Sequence, residues 1–416
     1  MLSFCPRAAL AAAVALAALL TACSDTAGDG TGTDASAPDA EDWDAVLAAA
    51  DGQTVNWYMY GGDDNLNTFV NGDLSDRLEK MGVTLNQVKI TDTVDAVNKV
   101  LAEKQAGRDD DGSVDMIWVN GENFSTGKQA DLWTCGYPED LPNAQYVDFT
   151  DPAVTSDFGV PVEGCESVWQ QADSALVYDS EALADADVES VDSLIAWAEA
   201  NPGRFTYPAL PDFTGSMAVR TFLYDTADDP ERLFGAFDEA LYGPISTDLW
   251  RRLNDLEPSL WRGGDTYPAG QDDVERLYAD DEIDAYLTYG PGAVAVKVAD
   301  GVFPASTREA VLDGGNIANN SFVAIPYNAE HAAAALVVAN ELLDPALQLA
   351  LFQANGAYPA VDLESLPSDQ QAAFDAVDLG PSVLPLADLT ANTRPELRAD
   401  YVARIEADWK ANVQQR

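Results

Sequence analysis

Aromatic and amide side chains gather where the apolar runs of this sequence end, a combination suited to holding a small molecule. Trp57, Tyr58 and Tyr60 close one β-branched and aromatic run, and Gly61, Gly62, Asp63 and Asn65 follow it. Trp118 leads into Asn120, Glu122, Asn123 and Phe124, and Trp169 into Gln170. Phe213 and Ser216 precede another apolar run, Tyr289 ends one, and Asn320 opens one. Ring faces stack on a cationic solute for about 0.5–2 kcal/mol each. Amides orient polar groups, and Glu122 or Asp63 would pair a positive centre. Thr214-Gly215-Ser216 before Met217 reads as a helix N-cap, which offers free N–H groups to polar atoms. A single aromatic is more often core than contact. Clustering beside amides and glycines favours a binding site.

Signatures of turnover are sparse. The one histidine, His331, lies at the start of a helical pattern, with nothing to make it part of a nucleophilic triad. Gly121 to Lys128 fails as a phosphate loop, because five residues separate its glycines and Gln129 follows Lys128. Asp109-Asp110-Asp111-Gly112 lacks the spacing of a calcium loop. One histidine and no Cys-x-x-Cys argue against zinc. No metal or cofactor is expected.

The elements that must position these residues alternate. Strands are expected at Thr54 to Tyr60, Thr84 to Ile90, Val114 to Val119, Arg204 to Pro208, Glu282 to Tyr289 and Ser321 to Pro326. Helices are expected at Asp63 to Lys80, Thr93 to Gly107, Ser190 to Ala200 and Ala329 to Leu343. Ser167 to Tyr178 reads as extended. Such alternation builds largely parallel sheets covered on both faces. Ligands then sit beyond the carboxyl ends of the strands, where the aromatic and amide residues cluster.

The N-terminus is a targeting segment. Arg7 precedes the apolar run Ala8 to Leu20, too short for a membrane span, and Leu20-Thr21-Ala22-Cys23 resembles a bacterial lipobox. That resemblance implies cleavage after Ala22 and lipid attachment at Cys23. The polar, small-residue segment 24–41 then reads as a flexible tether. Cys135 and Cys165 remain, either as a disulfide in an oxidising compartment or as two buried thiols. The chain has 71 acidic against 22 basic residues, a net charge of −49. Spread along the whole length, that charge reads first as a solvated surface and second as attraction for a cation. It excludes nucleic acid as a partner. The length is more than one core supports, so two lobes are expected.

Several blocks in order resemble the YnjB-type solute-binding proteins of ABC transporters. They include Trp118-Val119-Asn120-Gly121-Glu122-Asn123-Phe124, Asn201-Pro202-Gly203-Arg204-Phe205-Thr206-Tyr207-Pro208, Pro211-Asp212-Phe213-Thr214-Gly215-Ser216, Leu260-Trp261-Arg262-Gly263 and Ile325-Pro326-Tyr327-Asn328-Ala329. Val168-Trp169-Gln170-Gln171-Ala172-Asp173 departs from the Pro-Trp-Gly-Gln-Ala-Gln expected there. The resemblance implies an α/β, two-lobed, periplasmic-binding-protein-like fold of type II, each lobe a mixed, mainly parallel sheet flanked by helices. Lobe one would comprise residues 42–166 and 320–353, and lobe two 167–319 and 354–416. It also implies a solute, such as a thiamine-like cation, closed between the lobes and passed to permease and ATPase subunits. A secreted carbohydrate-active enzyme would also use tryptophans and carboxylates, and a sensory lipoprotein would need no importer. On the residues alone, both stay open.

Overall fold

The computed structural model describes residues 38–290 and 292–414. The expected signal segment, Cys23 and most of the expected tether lie outside the described residues. Ala40, at the end of that tether, is already buried against a core.

The strands that position the site are β1 Thr54–Tyr60, β2 Thr84–Ile90, β3 Met116–Val119, β4 Ser167–Gln171, β5 Ser174–Asp179, β6 Ala285–Tyr289, β7 Thr307–Ala310, β8 Asn316–Ala318, β9 Asn320–Ala324 and β10 Thr393–Pro395. The first sheet runs β2-β1-β3-β9-β4. Its β1 pairs parallel with β2 and β3, while β9 runs antiparallel between β3 and β4. The second sheet runs β6-β5-β7 with antiparallel pairing, and a parallel bridge joins Phe205 to Ala285. Arg204 to Pro208, expected as a strand, contributes only that bridge. Pro208 has no N–H with which to extend a ladder.

Each sheet heads its own core. In β1, Val55, Trp57 and Met59 are buried and alternate with half-exposed neighbours, as a strand covered chiefly on one face requires. They pack with Phe69, Trp169, Phe322 and the helix Ala332–Leu342, whose residues are all buried. Apolar character all round is what a helix inside a core needs. Among the described residues no single helix is long and apolar enough to cross a membrane. The second core joins Leu176, Phe205, Phe222 and Trp250 to Tyr401, Ile405 and Trp409 of the C-terminal helix Ala399–Trp409.

The chain passes between the sheets at Ala172 and Asp173, again at Asn319, and again after the helix Pro345–Asn355. Ala172 N–H donates to the Asn319 carbonyl at 2.8 Å, and Gln171 N–H to the Tyr358 carbonyl at 2.9 Å, tying the three crossings together. Ser167 to Gln171, expected to open the second lobe, is instead the edge strand β4 of the first sheet. Its partner β9 lies about 150 residues along the chain, a pairing local pattern cannot display.

Candidate functional site

The face that the second lobe turns toward the first is built on the helix Phe213–Thr226. Asp212 caps it, accepting from Thr214 N–H at 3.0 Å and Gly215 N–H at 2.9 Å. A Cβ on Gly215 would overlap the Pro208 carbonyl, so this close approach needs glycine. Ser216 and Arg220, one turn apart, share a side of the helix. The Ser216 hydroxyl donates to Glu406 at 2.9 Å, and Arg220 Nη1 donates to Ser216 Oγ at 2.7 Å. The Arg220 guanidinium, 1 % exposed, also grips both oxygens of Glu396 at 3.0 and 3.1 Å. Its Nη2 reaches the Tyr289 hydroxyl at 3.1 Å, and that hydroxyl donates to Glu396.

Beside this network stand three rings. Phe158, at the turn of a two-residue hairpin reaching out from the first lobe, lies 5.4 Å beneath the Arg220 guanidinium. Phe213 lies 5.9 Å from Phe158 and 5.0 Å from Tyr289. Phe213 remains exposed, where a large apolar side chain is available to a partner molecule.

The first lobe answers from the end of β3. Asn120 donates to the Asn320 carbonyl at 2.6 Å. Gly121, at φ +64°, starts the helix Gly121–Gln129 and donates its N–H to the buried Asp157 at 2.6 Å. Glu122 follows. Burial pushes its carboxyl up, the Asp92 and Glu396 charges push the same way, and Arg220 opposes them. Burial and the Glu122 charge hold Glu406 at about 7. Asp212 rises to about 6 because its burial outweighs the two N–H groups it accepts. A groove of about 270 Å³ remains beside Glu122, between Ser125 and Gln129 on one lobe and Arg398 and Asp400 from the C-terminal segment.

Of the residues singled out in the sequence, Asn120, Glu122, Phe213, Ser216, Tyr289 and Asn320 belong to this neighbourhood. Asn320 is buried and donates to the Ala153 carbonyl at 2.9 Å. Trp57, Phe124 and Trp169 offer no ring to a solute, because all three are fully buried. Trp57 meets Trp169 edge-on at 5.4 Å, Trp118 meets Trp169 at 5.0 Å, and Phe124 stacks on Trp133. Tyr58 is half-buried against the core around Phe124. Gln170 is buried and reaches Ser321. Asp63 spends its carboxylate capping the helix Asp64–Phe69, accepting from Asn65 and Leu66 N–H groups. Asn123 lies half-buried on the helix that Gly121 opens. Cys135 and Cys165 are joined by a disulfide.

Tyr60 works as a clasp between the lobes, donating to Asp272 at 2.5 Å. Gly61 lies against the Lys89 stem, and a Cβ on Gly62 would overlap the Tyr60 hydroxyl and stand 2.6 Å from Asp272 Oδ2. Gly62→Ala and Tyr60→Phe should each cost about 1.5 kcal/mol in urea unfolding, the scale of one hydrogen bond to a charged acceptor. Unchanged stability in both would remove the clasp.

Phe158, Arg220, Glu396 and Glu406 escaped the sequence reading. Arg220 carried a signal: a scarce cation placed four residues after Ser216. The two glutamates had none among so many carboxylates.

Three comparisons bear on this architecture. Protein YnjB of Escherichia coli strain K12 is 35% identical over 380 residues, covering 89% of this chain and 93% of that one. The spermidine/putrescine ABC transporter substrate-binding protein PotD of Streptococcus pneumoniae, solved with calcium and HEPES, superposes with a TM-score of 0.59 at 13% identity. It covers 86% of this chain and 99% of its own. The periplasmic binding protein AfuA of Actinobacillus pleuropneumoniae, with fructose-6-phosphate bound, gives a TM-score of 0.59 at 13% identity, over 88% and 99%. The fold is thus that of the type II periplasmic binding proteins. Residues 78–373 match the family described as bacterial extracellular solute-binding protein. The chain belongs to that family.

Proposed function

We propose that this protein is the capture component of an ABC importer, and that its solute is a small organic cation held between the lobes. One observation carries the charge of the solute. Asp92 and Glu122 from the first lobe and Asp212 and Glu406 from the second act on one another across the gap. Arg220, the only fully buried cation among the described residues, is already neutralised there by Glu396. The uncompensated charge at the gap is negative. PotD and AfuA, named for or holding a polyamine and a sugar phosphate, share the fold, so the fold leaves the charge of the solute open. Phe213 and Tyr289 would supply ring faces to a thiamine-like or other flat cation. Closure around the solute would present the surface that permease and ATPase subunits engage, provided the solute binds the closed state more tightly. Lipid on Cys23 would hold the protein at the outer face of the membrane.

A thermal-shift screen with thiamine, thiamine phosphates, spermidine, putrescine and fructose 6-phosphate tests this. A true solute at 100 times its Kd adds about 2.7 kcal/mol. Stabilisation by the sugar phosphate alone would overturn the cation reading. For a cation found in this way, Glu122→Gln and Glu406→Gln should each weaken binding about tenfold, or ~1.4 kcal/mol.

The pH dependence has a definite sign. Glu406 is raised from 4.5 to about 7, so the folded, solute-free protein keeps a proton that the unfolded chain releases. Its contribution to stability is complete below 4.5 and disappears as pH rises through about 7. Cation affinity should rise over the same interval. Glu406→Gln should flatten both profiles, and profiles unchanged in that variant would exclude Glu406 from the site.

A further inference from the structure

We infer that the C-terminal segment 393–414 is a strap that gates the cleft, with Arg398 as its releasable clasp on the first lobe. Three attachments anchor the strap in the second lobe. Its strand β10 pairs in parallel with β8, immediately before the crossing at Asn319. Glu396 sits in the grip of Arg220 and Tyr289. Tyr401, Ile405 and Trp409 are buried in the second core, and the Trp409 indole donates to the Tyr207 hydroxyl at 3.2 Å.

Between Glu396 and Tyr401 the segment reaches the other lobe. Arg398 Nη1 donates to the Gly159 carbonyl at 2.9 Å. Gly159, at φ +63°, turns the first lobe's hairpin, and a Cβ there would stand 2.6 Å from Arg398 Cγ. The adjacent residue, Phe158, is buried in the second core under Arg220. The hairpin turn is therefore held from two sides, by Arg220 through its ring and by Arg398 through its backbone. The helix Ala399–Trp409 also packs on the helix Gly121–Gln129, the element that carries Glu122. For the lobes to part, the hairpin must leave both arginines. The Arg220 contact is sealed in the core, whereas Arg398 is half-exposed on one backbone oxygen, so the strap releases first.

This rests on the reading that solute enters between the lobes, but its test needs no solute. Small-angle scattering and hydrogen exchange on the solute-free protein compare wild type with Arg398→Ala, Gly159→Ala and Arg404→Ala. Arg404 belongs to the strap but pairs with Glu239 and Asp408, away from the first lobe. Wild type should scatter as a compact chain, with a radius of gyration of ~21 Å for this length. Arg398→Ala and Gly159→Ala should both raise that radius, and should speed exchange at least tenfold in the helix Gly121–Gln129. Arg404→Ala should leave both readings at the wild-type values. Curves that superpose for all four proteins would overturn the gate, as would equal opening in Arg404→Ala. A solute screen that fails with every cation overturns the proposed solute and leaves the scattering result to judge the strap by itself.

Discussion

Arg220→Met should lower unfolding stability by about 3–5 kcal/mol, the cost of stranding one member of a buried ion pair. The substitution approximates the length of the arginine stem, so the loss is chiefly electrostatic. Glu396, also buried, would keep only the Tyr289 hydroxyl as a donor, and Ser216 would lose the N–H it accepts. Arg220→Met with Glu396→Gln should recover most of the loss, because a neutral amide in place of the anion no longer needs the guanidinium. Urea unfolding of the two single variants and the double closes a thermodynamic cycle, and the pair should show a coupling of at least ~1 kcal/mol. A double variant no more stable than Arg220→Met would mean that the packing of the arginine stem, not the pair, holds this region.

The same network explains where the sequence could be read and where it could not. Alternation in Thr54 to Tyr60 and the turns around it are local, and they predict β1 correctly. Which of its residues face solute is not local. Trp57 and Tyr60 lie three residues apart on the same strand, yet one meets Trp169 in the core and the other meets Asp272 across the gap. The aromatic clusters therefore mixed two populations: rings that seal a sheet and rings that rim a cleft. Trp169 lies on a strand whose first four residues are all buried, so alternation there carries no information about facing. Asn120 and Asn320 end or open strands, where backbone groups left without ladder partners need side-chain donors. Glu122 was marked by its neighbours Asn120 and Asn123, but Glu406 was illegible for a statistical reason. In a chain this acidic, Glu406 does not stand out until the fold brings it from the opposite lobe into one field with Glu122.

Cys135→Ser with Cys165→Ser should cost about 3–4 kcal/mol, the loop-closure value for a sequence separation of 30. Replacing both cysteines avoids leaving a reactive thiol. The effect should be local as well as global, because the closed loop contains the hairpin that the first lobe sends into the second. Asp157, which holds the Gly121 N–H, and Phe158, which lies under Arg220, are both inside it. The bridge also closes over Glu166, a fully buried carboxyl whose two oxygens have no hydrogen-bond partner. Burial, with the Asp157 charge adding to it, drives Glu166 well above the ordinary range. Its contribution to stability therefore declines as pH rises past the unfolded value. Opening the loop would give that carboxyl a route to water, so the double variant should lose part of this pH dependence along with its stability. Hydrogen exchange should accelerate between residues 136 and 164 and stay near wild type in the helix Val191–Ala200, which is buried in the second core. A loss below ~1 kcal/mol with no change in exchange would mean that the contacts of Asp157, Phe158 and Gly159 hold the hairpin without the bridge. The disulfide would then contribute nothing to presenting the first lobe's share of the site.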